Sequence, residues 1–309
     1  MDKRSKSFSK AAGGSPRLIC VGGGKGGVGK TSIAVNLGVS IARRGHRTVV
    51  VDADLSGANA NILLGMDGSA QLDQFFLQKG HKDLNRLLVR TPYENLMLIA
   101  GSTGLIESAN PRYQQKMSLM RHIANLSAEV VLIDLAAGVH LNVVDFFLMA
   151  PRQGIVVTTP DRIALDNAYK FARAVLFRKF DREFRSDEVS LLLHQTADTR
   201  MLLNKIGNAP GLSPETREAL QRKFLNLCAQ VRPRILVNRA RNPIQGFQAG
   251  QILSEHVKAK LMVNADSLGY ILEDKYVGRA IEQSEPFAAG ARRKKAAKCI
   301  EIVVGKLGL

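Results

Sequence analysis

The chain has 309 residues, 45% hydrophobic and 23% charged, which is ordinary for a globular protein with a substantial core. No apolar run reaches the roughly 18 residues of a membrane-spanning helix, and the basic N-terminus lacks the apolar segment of a secretory signal. The three cysteines stand far apart, which excludes a disulfide framework or a CxxC metal site and favours a cytoplasmic protein.

Charge is the unusual bulk property. The chain carries 44 Lys and Arg against 27 Asp and Glu, a formal net charge of +17. Such a field attracts polyanions, so DNA, an anionic membrane surface and an acidic protein are candidate partners. A basic surface without a polyanionic partner is the alternative.

The predicted elements begin after a basic, Ser-containing lead, residues 1–16, which we expect to be disordered. A strand over residues 18–21 runs into a glycine-rich segment, and a helix with apolar residues at helical spacing follows until Gly45. Further apolar runs predict strands at residues 48–51, 130–133, 155–157, 235–237 and 270–271. Helical patterns separate most of them, at residues 163–180, 244–260 and 287–307. This alternation predicts an α/β fold: a doubly wound, mostly parallel sheet with helices on both faces.

Residues 181–231 interrupt the alternation with a polar, helix-prone stretch. Ser213 is placed to cap a helix that begins with Pro214 and Glu215. We therefore expect one domain over residues 17–309, with a helical insertion at about 181–231.

Residues 24–31, GKGGVGKT, satisfy the phosphate-loop pattern GxxxxGK[ST], with a predicted strand before and a helix after. In such a loop the glycines turn backbone N–H groups toward phosphate oxygens, and the helix N-terminus adds its positive dipole. Lys30 would reach the β- and γ-phosphates of ATP, and the Thr31 hydroxyl would be a ligand of Mg²⁺. The predicted nucleotide-binding residues of the loop are Gly24, Lys25, Gly26, Gly27, Val28, Gly29, Lys30, Thr31 and Ser32.

The second lysine of the loop, Lys25, makes it resemble the deviant phosphate loop of the MinD/ParA family, and its flagellar-number and cell-division branch in particular. In that family this lysine crosses an ATP-sandwiched dimer to contact the partner's nucleotide. The resemblance therefore implies a P-loop NTPase fold and an ATP-dependent homodimer in which Lys25 acts in trans. It covers roughly residues 18–180 and 234–307.

Residues 52–59 resemble the first switch segment of the family. The resemblance implies that Asp54 orients or activates the attacking water. It also implies that Asp52 lies in or near the Mg²⁺ shell, and that Asn59 lies at the dimer face.

Asp134 ends an apolar run and resembles the Walker B carboxylate that holds Mg²⁺, with residues 136–138 as the second switch. An Asn at the end of a later strand touches adenine in relatives, and this maps to Asn238. The implied catalytic residues are thus Lys25, Lys30 and Asp54, and the implied metal ligands are Thr31, Asp52 and Asp134.

The function implied by the resemblance is that of a slow, partner-stimulated ATPase. It would position or regulate a cellular structure, such as a flagellum or division site, through an unidentified protein partner. Two alternatives stay open: a ParA-type partition ATPase that binds DNA without sequence preference, and a metabolic ATP-dependent ligase or activator on the same fold. Iron–sulfur carriers of the family use a CxxC pair, which this chain lacks.

The C-terminus leaves one further choice. Ile300, Val303, Val304 and Leu307 recur at helical spacing. They fit either a final helix packed on the core or an amphipathic helix that would bring the protein to the periphery of a membrane.

Overall fold

The computed structural model describes residues 15–55, 57–67, 72–77, 83–101, 113–150, 152–184, 198–290 and 294–309. The strands are β1 (Arg17–Gly22), β2 (Thr48–Asp52), β3 (Val89–Arg90), β4 (Leu96–Ile99), β5 (Val130–Asp134), β6 (Ile155–Thr158), β7 (Arg234–Ala240) and β8 (Asp266–Leu272). The helices are α1 (Lys30–Arg43), α2 (Ala60–Leu63), α3 (Leu72–Leu77), α4 (Tyr113–Ile123), α5 (Leu141–Phe147), α6 (Arg162–Glu183), α7 (Thr199–Gly207), α8 (Pro214–Gln230), α9 (Pro243–Leu261), α10 (Lys275–Glu282) and α11 (Lys295–Lys306).

The strands of the described residues form one sheet in the order β3-β4-β2-β5-β1-β6-β7-β8. Neighbouring strands are parallel throughout except for β3, which pairs antiparallel to β4 at the edge. Every residue of β2 and β5 is buried, as expected of strands covered by helices on both faces. The predicted doubly wound, mostly parallel sheet is confirmed.

Each face of the sheet carries its own hydrophobic core. Along β5, Val131 and Ile133 contribute to one core and Val130 and Leu132 to the other, because successive side chains of a strand point to opposite faces. The first core takes in α5, α6, α8 and α9, and the second takes in α1 and α11. The sheet is thereby held between two helical layers.

Two predictions about elements were wrong or incomplete. The sequence did not reveal β3 or β4, although all four residues of β4 are buried. The predicted helix over residues 287–307 begins only at Lys295. Before it, the backbone of residues 288–289 bonds to α1 instead: Ala288 N donates to Asn36 Oδ1 at 2.7 Å, and the Arg43 guanidinium donates to the two carbonyls.

The predicted insertion contains α7 and α8, and Ser213 caps α8 by accepting a hydrogen bond from Thr216 N. The Phe224 ring of α8 stacks on Phe180 of α6 with centroids 4.5 Å apart, and Thr199 Oγ1 of α7 donates to Lys260 O of α9 at 2.6 Å. Both helices therefore pack on the layer that covers the sheet. Of the predicted basic lead, residues 1–14 lie outside the described residues.

The final helix, α11, packs on the core. Ile300, Val303, Val304 and Leu307 are each no more than 2% exposed, and Ser40 Oγ of α1 donates to Glu301 Oε1 at 2.7 Å. Of the two interpretations of this apolar stripe, a helix packed on the core or an amphipathic membrane helix, the structure shows the first. Within the described residues, no helix combines the length and apolarity needed to cross a membrane.

Candidate nucleotide-binding site

The phosphate loop connects β1 to α1 at the centre of the sheet. Gly27 and Gly29 adopt positive φ angles of 76° and 92°, a conformation that glycine adopts readily. A Cβ at Gly24 would lie 2.0 Å from Asn167 O, so the chain passes α6 too closely for any side chain. The loop needs glycine at these positions for backbone geometry and for clearance.

The N-terminus of α1 is prepared for an anion. Gly29 is its N-cap, no side chain caps it, and no acidic residue stands in its first turn. The first N–H groups of a helix have no partner within the helix and carry the positive end of its dipole. A phosphate placed here would meet backbone donors and the dipole together.

Lys30 begins α1 and is only 7% exposed. Its ammonium donates to Lys25 O at 3.4 Å. Burial lowers its pKa, while the carboxylates of Asp134 and Asp54 act in the opposite direction. The predicted phosphate lysine is therefore a buried cation that interacts with the carboxylates of Asp134 and Asp54.

Asp134 and Asp52 end neighbouring parallel strands and are direct register partners. Asp134 is fully buried, and apart from the adjoining Thr31 hydroxyl its carboxylate oxygens have no hydrogen-bond partner among the described residues. Burial raises the pKa of Asp134 well above its ordinary value; Asp52 adds to the rise, while Thr31 and Lys30 oppose it. A buried carboxylate without donors is costly unless it is protonated or meets a cation.

Mg²⁺ fits this arrangement. It is held in proteins by one or two carboxylates together with substrate phosphates and water. The oxygens of Asp134 and of the adjoining Thr31 are of the right type, and Asp134 lacks any other partner among the described residues. Within those residues no group of three or more His, Cys, Asp or Glu side chains forms a metal cage of its own.

Asp52 organises the segment that follows β2. Its Oδ1 accepts a hydrogen bond from Asp54 N at 3.1 Å, and its Oδ2 accepts from Asn59 N and Ala60 N, each at 3.0 Å. Burial raises the pKa of Asp52 to about 6, and these backbone donors moderate the rise. The carboxylate thus fixes the turn that carries Asp54, whose own Oδ1 accepts from Gly57 N at 3.1 Å.

The segment after Asp134 returns to the phosphate loop. Leu135 N donates to Val21 O at 3.0 Å, and Gly138 N donates to Gly23 O at 3.2 Å. Gly138 has a φ of 100°, which permits the turn before α5. These two hydrogen bonds join residues 135–138 to the end of β1, directly before the phosphate loop.

Asn238, near the end of β7, is hydrogen-bonded to the phosphate loop. Its Nδ2 donates to Val28 O at 2.8 Å and its Oδ1 accepts from Arg239 N at 2.9 Å. A cavity of about 1060 Å³ opens beside it, bounded by Gly29 and Ser32. Apolar side chains form part of its wall: Ile271, Leu272, Val277, Ile281 and Phe287.

The structure brings Lys25 to the rim of the loop rather than to its centre. The Lys25 ammonium lies 3.7 Å from Asp161 Oδ1, and both side chains are about half exposed. The two residues border a second cavity of about 500 Å³.

Sequence reasoning missed Asp161 and Arg239. Arg239 has a φ of 56° in a bulge of β7 and borders both cavities. Asp161 precedes a helix, as capping residues do, which was the only local signal. Neither residue belongs to a motif that would have indicated a position beside the loop.

The three cysteines lie in separate elements, β1, α8 and α11, and all are buried. Burial raises the pKa of Cys20 and of Cys228 to about 12. These thiols are apolar packing groups at neutral pH.

A known protein family and several known proteins are similar in sequence to this chain. The family model of ParA, described as NUBPL iron-transfer P-loop NTPase, matches residues 15–182. A septum site-determining protein MinD of Chlorella vulgaris is 33% identical over 160 residues, 52% of this chain and 56% of the relative. The antiactivator FleN of Pseudomonas aeruginosa is 30% identical over 155 residues, 50% of this chain and 54% of that protein. The chain thus spans about half the length of the curated relatives it matches.

Among solved structures, the septum site-determining protein MinD of Pyrococcus horikoshii, complexed with Mg-ADP, superposes with a TM-score of 0.63. The sequences are 20% identical, and the superposition covers 94% of this chain and 96% of the other. This likeness concerns the fold. The family match over more than half of the chain is independent of it, and the chain belongs to the ParA family of P-loop NTPases.

Proposed function

We propose that this protein is a Mg-ATP-dependent switch that dimerises when it binds ATP and hydrolyses ATP slowly to position or regulate a cellular structure. The observation that carries the proposal is the buried Asp134 carboxylate, in register with Asp52 and close to an uncapped helix N-terminus. Apart from the Thr31 hydroxyl, it has no hydrogen-bond partner among the described residues. That combination is what a bound Mg-nucleotide requires.

Each residue of the site has a role in this proposal. Residues 24–32 bind the phosphates, with Lys30 at the β- and γ-phosphates. Thr31 and Asp134 would hold Mg²⁺, which would supply positive charge against the phosphates. Asp52 would be less available as a direct ligand because three backbone N–H groups already donate to its carboxylate. Asp54 orients the attacking water.

Binding of the adenine at Asn238 belongs to the same proposal. The Asn238 side chain borders the large cavity, whose apolar wall suits a planar base. One amide N–H of Asn238 is committed to the phosphate loop, so any contact with the base would use the other.

Dimerisation through the loop face is supported by exposed apolar side chains around it. Val139 and Leu141 follow β5, Ile163 follows β6, and Ile244 and Phe247 follow β7, each between 48% and 69% exposed. The carboxyl ends of parallel strands meet at one edge of a sheet, so these side chains share the edge that carries the phosphate loop. Large apolar groups gathered at one face favour association with another protein surface.

Lys25 is the residue that we propose acts across the dimer. Its ammonium lies at the rim, about half exposed, where a second copy could be reached. A charge supplied only on assembly would make nucleotide turnover depend on dimerisation, as an arginine finger does.

A protein is our first choice as the partner that the dimer regulates, with the action in the cytoplasm. Membrane binding through the C-terminal residues is disfavoured because the apolar stripe of α11 is buried. DNA is the second candidate, favoured by the net charge of +17 per chain, which dimerisation would double.

Sedimentation with ADP and with ATP tests the proposal. We expect wild-type protein to be monomeric with ADP and dimeric with ATP, and Lys25→Ala to bind ATP but stay monomeric. Absence of ATP binding in calorimetry would refute the nucleotide site. An ATP-bound monomer at tens of micromolar protein would refute the switch.

Adding random-sequence DNA duplex at low salt to the same ATP-loaded samples decides between DNA and a protein as the partner. DNA binding that weakens steeply with salt would establish the second candidate. No retention of duplex by the dimer would leave a protein partner.

A further inference from the structure

The large cavity beside the phosphate loop has a wall whose charge adenosine does not explain. Five basic side chains border it: Arg239, Arg241, Lys275, Lys294 and Lys295. They form the cationic rim. Adenine and ribose are uncharged, and the 5′-phosphates of a bound nucleotide would lie at the phosphate loop, where Arg239 and Arg241 also border the second cavity beside Lys25. The charge of Lys275, Lys294 and Lys295 is what adenosine and its 5′-phosphates leave unexplained.

Few acidic side chains balance the positive charge of the cationic rim. Among the described residues, none of its five side chains forms an ion pair with a carboxylate. In the part of the chain that the structure describes, two acids border the cavity, Glu273 and Asp274. The Asp274 carboxylate accepts hydrogen bonds from Tyr276 N at 3.0 Å and Ala296 N at 3.4 Å. The Lys294 ammonium also contributes to lowering the pKa of Asp274, so this acid offsets part of the charge of one rim cation.

The backbone holds Arg239 at this position against its own preference. Its φ of 56° is in the left-handed region, which is uncommon for a residue with a side chain. The bulge in β7 and the hydrogen bond from its N–H to Asn238 Oδ1 maintain that conformation. A strained residue at the junction of two cavities is a reason to look for a ligand contact.

The space is sufficient for a ligand larger than the base. The cavity measures about 1060 Å³. Small-molecule sites in proteins span roughly 300–1,000 Å³, so this one lies at the upper limit. The Lys294 ammonium lies 5.4 Å from the centre of the Tyr276 ring, which holds one rim cation at the cavity wall.

We propose that the cationic rim binds a second phosphate, attached to the ribose of the nucleotide in the cavity. The ligand class is a nucleotide phosphorylated both at its 5′ end and at its 2′ or 3′ position. This inference rests on the proposed nucleotide site and adds a recognition element to it. Charge-assisted hydrogen bonds from lysine and arginine are the interactions that such a phosphate would gain.

The test compares adenosine 5′-monophosphate with adenosine 3′,5′-bisphosphate and adenosine 2′,5′-bisphosphate by calorimetry at low salt. We expect one bisphosphate to bind wild-type protein at least about tenfold more tightly than the monophosphate, because it gains one or more charge-assisted hydrogen bonds. The isomer with the gain identifies the ribose position.

Variants assign the gain to the rim. The double variant Lys294→Gln, Lys295→Gln should reduce the ratio of affinities to below about threefold, since the added phosphate loses two cations. Lys298→Gln removes the same charge from an exposed position of α11 outside the cavity and should leave the ratio unchanged.

ATP binding is measured in parallel, so that the two proposals fail separately. Equal affinity of the monophosphate and both bisphosphates, with ATP bound normally, would overturn the inference and leave the proposed function intact. A gain that survives in the double variant, or disappears equally in Lys298→Gln, would also overturn it. A bisphosphate preference without ATP binding would support the rim and refute the proposed ATPase.

Discussion

The Lys25 ammonium lies 3.7 Å from Asp161 Oδ1, at the point where α6 begins. Asp161 is the N-cap of α6, and its Oδ1 also accepts a hydrogen bond from Ala164 N at 2.9 Å. The lysine that we propose reaches a partner's nucleotide is therefore paired, within the single chain, with the residue that starts a 22-residue helix.

Removing the charge of Asp161 should release Lys25 for the dimer. In Asp161→Asn the amide oxygen can still cap α6, and the Thr159 hydroxyl that donates to Asp161 Oδ2 can accept from the amide N–H instead. The change therefore removes the ion pair and keeps the cap. Both side chains are about half exposed, and such pairs contribute roughly 0–1 kcal/mol. We expect the ATP-bound dimer to tighten by up to about fivefold in sedimentation equilibrium.

Asp161→Ala is the matched comparison. It also loses the cap, so it should lower the free energy of unfolding by about 1 kcal/mol in addition to its effect on the dimer. A weaker dimer in both variants would mean that Asp161 contributes to the interface rather than restraining Lys25.

Lys30→Ala should weaken ATP binding by about 100-fold, because alanine cannot make the charge-assisted hydrogen bonds that the lysine ammonium donates to phosphate. Lys298→Ala, at an exposed position of α11, is the control and should bind as wild type. Calorimetry with ATP measures both. Equal affinities for the two variants would remove Lys30 from the phosphate site.

Asp54→Asn should separate binding from hydrolysis. The asparagine retains an oxygen for the hydrogen bond from Gly57 N but loses the charge that would orient the attacking water. We expect ATP affinity to be kept, phosphate release to fall roughly 100-fold, and the ATP-bound dimer to accumulate. Wild-type turnover in this variant would show that another group orients the attacking water.

The buried carboxylate of Asp145, in α5, forms ion pairs with three cations. Its carboxylate lies 2.8 Å from the Lys116 ammonium, 2.7 Å from Arg178 Nε and 2.6 Å from an Arg182 nitrogen. Because Asp145 is 1% exposed, Asp145→Asn should lower the free energy of unfolding by about 3 kcal/mol. Asp166→Asn removes an exposed ion pair with Lys170 and should change it by less than about 0.5 kcal/mol.

The pH dependence gives that prediction a second measurement. Burial alone would raise the pKa of Asp145, but the hydrogen bonds from Arg178 and Lys116 outweigh it and lower the pKa. A folded-state pKa below the unfolded value stabilises the protein above about pH 4, and this stabilisation is lost as the pH falls further. The difference between wild type and Asp145→Asn should therefore shrink below about pH 4 in thermal denaturation. A constant difference from pH 3 to pH 7 would contradict the assignment.

The central strands could be predicted because burial on both faces leaves a simple pattern. The runs that became β2 and β5 are continuous and rich in valine, and each ends in an aspartate. The strand β4, with the sequence LMLI, has the same burial but consists mainly of leucine and methionine, which also favour helices. A run of four such residues does not distinguish the two structures.

The part of the candidate site that could be predicted from the sequence is the part formed by one contiguous motif. The loop from Gly24 to Thr31 is such a motif, and its helix begins at Lys30, as the pattern requires. The register of Asp52 beside Asp134, and the position of Asp161 beside Lys25, arise from crossovers between distant segments. Those proximities depend on the order of the strands, which local spacing does not encode.

The amide of Asn238 gives the nucleotide pocket a shared anchor. It joins the end of β7 to Val28 O within the phosphate loop. A substitution intended to change base preference at this position would also loosen the loop that holds the phosphates. Selectivity for the base and affinity for the phosphate chain therefore cannot evolve, or be engineered, independently through Asn238. If Asn238 contacts the base as we propose, the apolar side chains that also border the cavity are the positions where base preference could change without loosening the loop.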